Sequence, residues 1–363
     1  MTSQAAELQV QIRREIEAAG GWLGFDRFMA LALYAPGLGY YSNDRLKFGL
    51  MPEGGSDFVT APELSPLFGR SLAVQVQQAL EATQTEEIWE FGAGTGALAE
   101  QLLDALGPTL RRYNIVDLSG SLRARQAERL APWGDKILWH DALPPDIHGV
   151  VVGNEVLDAM PVQLLHWDGE CWWERGVTWR GDGFAWADRA TDARPPLDHE
   201  QDHFPAGTVT EIHVQGEAFI RTLAAHLKRG AAFFMDYGFP ESEYYHPQRS
   251  GGTVMCHHAH RADPDPLLLV GQKDITAHVN FTGIAVAGQD ASLEVLGYTS
   301  QANFLINCGL IDAMAQADLA GRAMAHRLVA EHEMGELFKV VGFVAGASFD
   351  ALGFSRGDRS HTL

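Results

Sequence analysis

Three glycines, Gly92, Gly94 and Gly96, alternate with small residues in the segment EFGAGTGA at positions 90–97. They follow a short apolar run at 88–89 and precede a helix-like segment at 98–106. A strand that turns through glycines into a helix brings backbone N–H groups and a helix N-terminus close to a ligand. Glycine suits such a turn because it allows positive φ and leaves no Cβ in the way. The spacing therefore predicts a binding site for a nucleotide-like cofactor.

Two classes of cofactor use this geometry. A dinucleotide site reads G-x-G-x-x-[GA], which Gly92, Gly94 and Ala97 satisfy. A site for S-adenosylmethionine (SAM) reads [ED]-x-G-x-G-x-G, which Glu90 and the three glycines satisfy. Glu90 favours SAM, because a carboxylate can face the cationic amino group of methionine but would repel a pyrophosphate. A strand, turn and helix without a ligand is the third alternative.

Acidic residues also end the next two predicted strands. Asp117 ends a strand at 113–117, where a carboxylate can accept hydrogen bonds from both ribose hydroxyls of an adenosine; the alternative is a helix cap. Asp141 follows a strand at 137–140, where it can accept from an adenine amino group; the alternative is a surface turn. We assign to the cofactor site, besides Glu90 and the glycines, Asp117, Asp141, Ala142, Asn154 and Thr60.

Two carboxylates follow the fourth predicted strand, at 150–153. Glu155 and Asp158 are three positions apart, so a helical turn would place them on one face. Ligands of open α/β sheets bind outside the carboxyl ends of the strands, and two carboxylates there can hold a guanidinium in fork geometry. The alternative is a helix N-terminal cap. Asp236, at the end of a strand predicted at 231–236, lies at the same edge.

Two further polar segments carry less specific patterns. Asp274 begins the segment DITAHVNF at 274–281 and fits either a functional carboxylate or a helix N-cap. The segment CHHAH at 256–260 holds three histidines, but this spacing rarely brings them onto one ion without further ligands. We therefore expect no metal site.

The elements that must position these residues fall into five predicted regions. Strand–helix alternation from residue 87 predicts an α/β fold with a Rossmann-like parallel sheet. Five tryptophans and hairpin-like turns interrupt it and predict an inserted antiparallel β element. The regions are an N-terminal helical cap with a substrate loop (1–85), the first half of the core (86–160), the β element (161–213), the second half of the core with a loop-rich insertion (214–350) and a loose tail (351–363).

Composition limits the possible functions. With 363 residues, the chain is longer than the size at which one compact core usually suffices. The net charge of −20 disfavours nucleic-acid binding and suits a cationic substrate. No apolar run of about 18 residues predicts a membrane span. The first twenty residues lack the pattern of a secretory signal and carry three glutamates, unlike a mitochondrial presequence. With three widely spaced cysteines, we expect a cytoplasmic protein.

Several segments together resemble the MidA family of class I SAM-dependent methyltransferases. The resemblance covers roughly residues 25–345. The segments are YAP at 34–36 with GYY at 39–41, SDFVTAPELSPLFG at 56–69, the glycine loop, NEVLDAMP at 154–161, MDYG at 235–238, GT at 252–253 and DITAHV at 274–279.

The resemblance implies a SAM-binding, mostly parallel sheet with an antiparallel last strand and a helical region that closes over the active site. The family includes a mitochondrial arginine methyltransferase, so the resemblance implies that the methyl acceptor is an arginine of a protein substrate. Asp117 stands where the family pattern favours Glu, and Asn280 where it favours Asp. Carboxylates would orient the guanidinium and offset its charge. The candidate catalytic residues are Glu155, Asp158, Asp57 and Asp236.

Two other functions stay open at this stage. A SAM-binding assembly factor with little turnover would use the acidic surface and the tryptophan-rich insertion to bind a partner protein. A dinucleotide-dependent oxidoreductase would use the same glycine loop. The sequence does not indicate an oligomeric state.

Overall fold

The computed structural model describes residues 3–43, 59–117, 120–196 and 204–363. Its helices are α1 (Ser3–Ala18), α2 (Phe25–Tyr34), α3 (Ala61–Leu64), α4 (Pro66–Thr83), α5 (Ala97–Leu106), α6 (Gly120–Arg129), α7 (Val214–His226), α8 (Glu241–Tyr244), α9 (Phe281–Asp290), α10 (Gln301–Asn307), α11 (Leu310–Gln316) and α12 (Leu319–Val329). Its strands are β1 (Leu23–Gly24), β2 (Glu87–Phe91), β3 (Arg112–Val116), β4 (Ile137–His140), β5 (Ile147–Asn154), β6 (Gln163–Trp167), β7 (Trp172–Arg180), β8 (Gly183–Ala190), β9 (Val209–Ile212), β10 (Leu227–Phe239), β11 (Met255–His258), β12 (Arg261–Asp263), β13 (Asp274–Thr276), β14 (Val279–Asn280), β15 (Glu294–Ser300) and β16 (Phe338–Ala345).

The central sheet has the strand order β15-β16-β10-β5-β2-β3-β4, and β14 pairs with the end of β10. The strands β10, β5, β2, β3 and β4 run parallel to one another. The strand β16, which is the last strand in chain order, lies between β15 and β10 and is antiparallel to both. The predicted parallel sheet with an antiparallel last strand is confirmed. The carboxyl ends of the parallel strands therefore meet at one edge, where such sheets bind ligands.

Helices cover both faces of this sheet. Val150 and Val152 of β5 pack in one cluster with residues of α4, α5, α10 and α12. Val151, which points to the other face, packs in a second cluster with residues of α7 and α9. A strand that is buried on both faces consists of a continuous apolar run, and this is why the run around residue 150 was recognisable in the sequence.

The predicted insertion forms a separate antiparallel sheet, with the order β1-β7-β6-β9 and β8 paired with β7. The helices α1 and α2 pack against it in one apolar cluster. Trp167 and Trp172 are buried in its second cluster, and the ring of Trp186 lies 5.5 Å from that of Phe25. This packing fixes the direction of α2, which ends at the functional edge of the central sheet with Tyr34.

Three elements of the second half differ from the sequence-based prediction. The strand β15 and the helices α9 and α10 were not predicted, because their short apolar runs lack a clear period. After α10, the chain continues through α11 and α12 into a π-helical turn at Glu331–Gly335. No helix in the described ranges is long and apolar enough to cross a membrane.

The prediction of a loose C-terminal tail is wrong. Phe354 is 6% exposed, and its ring lies 5.4 Å from that of Phe304. The Asp358 carboxylate accepts the backbone N–H of Tyr298 at 2.9 Å, which fixes the segment to β15. An apolar anchor and a carboxylate cap are thus among the contacts that hold the tail, and the mostly polar residues around them concealed both.

Candidate active site

A cavity of about 1020 Å³ lies at the edge of the central sheet where β2, β3, β4 and β5 end. We call one part of it the glycine-loop side and the other the tyrosine side. The glycine-loop side is lined by Glu90, Gly92, Gly94, Asp117, Asp141, Ala142 and Asn154. The tyrosine side is lined by Tyr34, Tyr41, Asp158, Tyr237, Asp274 and His278, and Thr60, Glu63 and Glu155 also line the cavity.

The glycine loop joins β2 to α5 in left-handed backbone conformations. The φ angles of Gly92, Gly94 and Gly96 are 63°, 53° and 85°. A Cβ on Gly92 would meet Val156 Cγ2 at 3.0 Å, so this position lacks room for a side chain. Gly92 and Gly94 line the cavity, whereas Gly96 does not and instead precedes α5 as its N-cap. The loop therefore presents backbone to the cavity, as cofactor binding requires.

Glu90, the penultimate residue of β2, is a buried carboxyl group, and the Tyr113 hydroxyl donates to its Oε2 at 2.7 Å. Burial raises the pKa of Glu90 to about 8, although this hydrogen bond acts in the opposite direction. A cationic group in the cavity would favour the ionised form. Glu90 is therefore suited to bind an amino group, as predicted for SAM.

Asp117 and Asp141 line the cavity at the ends of β3 and β4. The side-chain amide of Gln126 donates to Asp117 Oδ2 at 2.8 Å and to the Gly94 carbonyl at 3.0 Å, and so joins the ribose candidate to the glycine loop. The Asp141 side chain is 88% exposed and pairs with Arg123 at 2.9 Å. Asp141 therefore lies at the rim of the cavity.

The turn after β5 is not helical. Glu155 has a φ of 54°, an uncommon value for a residue with a side chain. The backbone N–H groups of Val156, Leu157 and Asp158 donate to Asp236 Oδ2 at 3.1, 2.9 and 3.2 Å. The predicted helical spacing of Glu155 and Asp158 is wrong, and Asp236 has the capping role that was considered for them.

Asp236 does not line the cavity, so the structure does not support its prediction as a catalytic residue. Burial and then the charges of Asp158 and Glu155 raise the pKa of Asp236. Because its Oδ2 holds three consecutive N–H groups, Asp236 acts as a positioning residue for the turn. Asp57, the fourth predicted catalytic residue, lies outside the described residues.

Glu155 and Asp158 line the cavity together. Burial, followed by the charge of Asp158, raises the pKa of Glu155 to about 8. The Glu155 carboxyl accepts from Asn154 Nδ2 at 2.9 Å and from the backbone N–H of Ala61. The Tyr237 hydroxyl donates to Asp158 Oδ2, while Asp158 Oδ1 is buried without a well-aligned partner in the described ranges. The pair thus offers one anchored carboxyl and one oxygen that a ligand can satisfy.

The tyrosine side contains a further carboxylate. Asp274 is 2% exposed, lies in β13 and accepts the Tyr41 hydroxyl at 2.9 and 3.0 Å, so it is not the helix N-cap that was considered for it. The rings of Tyr41 and Tyr34 stack with centroids 5.6 Å apart, and the Tyr34 hydroxyl donates to the Ala159 carbonyl at 2.8 Å. Two fixed aromatic rings thus accompany Asp274.

Glu63 of α3 connects the cavity wall to the glycine loop. The Thr95 hydroxyl donates to Glu63 Oε1, and Arg129 reaches the same oxygen at 3.1 Å. The prediction omitted Glu63, Tyr34 and Tyr41 as site residues. All three lie in segments that carry the family resemblance, and this position could have identified them. Gln126 had none, because a glutamine within a helix is ordinarily a surface residue.

Two features define a class I methyltransferase. The antiparallel strand β16 lies beside β10, the fifth parallel strand in chain order, and a glycine loop follows β2, the first parallel strand. Residues 69–299 match the model of the family described as "Putative S-adenosyl-L-methionine-dependent methyltransferase". The chain belongs to this family. The site fits the cofactor, since it offers the backbone of Gly92 and Gly94, the buried Glu90 and an Asn154 Oδ1 that lacks a partner in the described ranges.

The chain is also similar to individual proteins. A crystal structure of a Burkholderia thailandensis protein bound to S-adenosyl-homocysteine is 50% identical, with a TM-score of 0.95, over 99% of this chain and 97% of that one. The mitochondrial protein arginine methyltransferase NDUFAF7 is 26% identical in Danio rerio, over 88% of this chain and 83% of that protein. The Homo sapiens protein is 26% identical over 78% and 69%.

These comparisons test three sequence-based predictions. SAM as the cofactor is confirmed, and the dinucleotide alternative is wrong. The cytoplasmic location is contradicted, because the curated relatives from Danio rerio and Homo sapiens are named as mitochondrial proteins. The few cysteines and the acidic first twenty residues were insufficient grounds for it.

Proposed function

We propose that this methyltransferase acts on arginine side chains of a protein substrate. The observation that carries the proposal is the acidic lining of the cavity. Seven carboxylates and no lysine or arginine occur among the described residues that line it. The seven are Glu63, Glu90, Asp117, Asp141, Glu155, Asp158 and Asp274.

The cofactor accounts for only some of these seven carboxylates. Glu90, Asp117 and Asp141 lie at the carboxyl ends of the first three strands of the core, where the adenosine and methionine parts are expected. Of the other four, Glu63 is paired with Arg129, and Glu155, Asp158 and Asp274 remain for the acceptor. Buried carboxylates are costly unless they are protonated or paired with a cation, so a cationic acceptor would stabilise their ionised forms. A planar guanidinium suits several carboxylates and aromatic rings at once.

SAM supplies an electrophilic methyl group on a sulfonium sulfur. The chain must hold the acceptor nitrogen in line with that methyl group, which is the main source of rate enhancement in a direct displacement. In our proposal Asp158 and Glu155 each accept hydrogen bonds from the guanidinium, and Tyr237 fixes the orientation of Asp158. Asp57 remains a predicted contributor.

The names of the relatives support the same acceptor. The similar proteins of Danio rerio and Homo sapiens are named protein arginine methyltransferases, at 26% identity. Identity at this level is compatible with a change of substrate, so the acceptor must be tested directly.

The test uses tritium-labelled SAM and protein extracted from cells that lack the gene. After incubation the protein is hydrolysed in acid and the labelled amino acids are separated. The proposal expects the label in methylarginine. Label in methyllysine or in a base-labile ester would contradict it, and incorporation no higher than with boiled enzyme would favour an assembly factor with little turnover.

A further inference from the structure

We propose that His278 is a further catalytic residue, which accepts the proton that the acceptor nitrogen loses during methyl transfer. The inference rests on the proposed function, because it assumes an N–H acceptor in the cavity. His278 lines the tyrosine side and has no role in the account above.

The backbone of His278 is fixed on two sides. Its N–H donates to Thr253 Oγ1 at 3.1 Å, and the buried His213 imidazole forms a hydrogen bond to the His278 backbone. His213 is held in turn by the Tyr244 hydroxyl at 3.1 Å from its Nε2. The imidazole of His278 therefore lies on a rigid support, as a catalytic group requires.

Aromatic rings hold the imidazole itself. The ring of Tyr237 meets it edge to face, with centroids 5.2 Å apart, and the ring of Phe239 lies 5.2 Å away. The same Tyr237 donates its hydroxyl to Asp158. The imidazole and the carboxylate to which we assign the guanidinium thus contact the same tyrosine side chain.

Two polar atoms at this place lack a well-aligned hydrogen-bond partner in the described part of the chain, His278 Nδ1 and Asp158 Oδ1. Both are buried, and both residues line the cavity. Leaving a buried acceptor unsatisfied costs about 1–3 kcal/mol, so such atoms call for an explanation. In the tautomer of His278 that carries its proton on Nε2, each of the two atoms can accept a hydrogen bond from an N–H group of a methyl acceptor in the cavity.

The surroundings keep His278 neutral. Burial, and then the positive charges of Arg249 and Lys339, lower its pKa to about 4. Arg249 lies over the face of Phe239, 3.7 Å from the centroid, and Lys339 approaches the same ring at 5.8 Å. A neutral imidazole has one nitrogen that accepts a hydrogen bond or a proton.

The step balances as follows. A guanidinium nitrogen forms a bond to the methyl carbon while the bond from that carbon to sulfur breaks, and the sulfonium becomes a neutral thioether. The attacking nitrogen would then carry a second positive charge beside the guanidinium, which makes its N–H strongly acidic. A weak base therefore suffices, and its low proton affinity lets it release the proton to water afterwards.

The test compares His278→Ala and His278→Asn with the wild type in the labelled-SAM assay, at saturating SAM. Asn keeps a hydrogen-bond acceptor but does not take the proton. We expect each variant to transfer methyl about 100-fold more slowly, the usual magnitude for a lost general base. The affinity for S-adenosylhomocysteine should stay within about twofold of wild type, and free imidazole should restore part of the rate of His278→Ala.

The matched control is His148→Asn, since His148 is exposed near the start of β5, at the opposite edge of the sheet. A rate within about threefold of wild type for either His278 variant would overturn the proposal. A slow His278→Ala variant that imidazole does not restore would also overturn it. If the wild type labels lysine instead of arginine, the proposed function fails while the comparison of His278 variants still decides this inference.

Discussion

Asp158→Asn separates the catalytic role of Asp158 from a structural one. Asp158 is 4% exposed, and its environment contains the like charges of Asp236 and Glu155. An amide of the same shape removes one charge from this group and keeps an oxygen that accepts from Tyr237. We therefore expect the melting temperature of the protein without ligand to stay unchanged or to rise, because repulsion between buried carboxylates decreases.

The rate of methyl transfer should fall. The substitution replaces a hydrogen bond between two charged groups by one with a neutral amide, and hydrogen bonds to charged groups contribute about 1.5–3 kcal/mol. At about 1.4 kcal/mol for each factor of ten, the expected loss is about tenfold to about a hundredfold. The affinity for S-adenosylhomocysteine should change much less, because Asp158 is on the tyrosine side of the cavity.

The assay measures three quantities on the same preparation: the melting temperature, the dissociation constant of S-adenosylhomocysteine and the initial rate of label transfer. Asp146→Asn is the matched control, because the Asp146 side chain is 58% exposed at the amino end of β5. Wild-type turnover together with a lowered melting temperature for Asp158→Asn would refute the reasoning and leave Asp158 a structural residue.

Three further predictions concern the cofactor and the fold. Gly94→Val should abolish S-adenosylhomocysteine binding in calorimetry while the protein stays folded, since Gly94 lines the cavity at a φ of 53°; unchanged affinity would exclude the loop as the site. Because the pKa of Glu90 is raised to about 8, the protonated form of Glu90 stabilises the free protein. This contribution is fully present below the ordinary pKa of a glutamate and is lost as the pH rises through about 8. SAM affinity should therefore increase from pH 6 to 7.5 with proton release on binding, and a flat profile would contradict this. Phe354→Ala should lower the free energy of unfolding by about 3–5 kcal/mol in denaturant titration and leave cofactor affinity unchanged; a change below about 1 kcal/mol would show that the tail does not belong to the core.

The sequence was most informative where the backbone is constrained by local rules. The glycine loop, the continuous apolar strand around Val151 and the hairpins of the insertion follow from glycine spacing, two-sided burial and turn residues, and the structure contains all three. The tail was mispredicted because its stability depends on Phe354 packing against the distant Phe233 and Phe304.

The site residues were predicted from their positions at strand ends. This approach found residues that line the cavity but did not find the contacts that position them. Glu155 and Asp158 do line the cavity, but their turn depends on Asp236, 80 residues after Val156 in the chain. No local pattern can show that one carboxylate binds the N–H groups of a turn from another strand. The same holds for His278, whose neighbours come from β10 and from the charged side chains of Arg249 and Lys339.

The most direct test of the central claim is mass spectrometry of arginine-methylated peptides from three cell lines. One line carries the gene, one lacks it, and one carries the Asp158→Asn variant at equal protein level. The account predicts at least one peptide whose arginine is methylated in the first line, is not methylated in the second, and is methylated to a strongly reduced extent or not at all in the third. Identical methylarginine peptides in all three lines would contradict arginine methylation as the function of this protein.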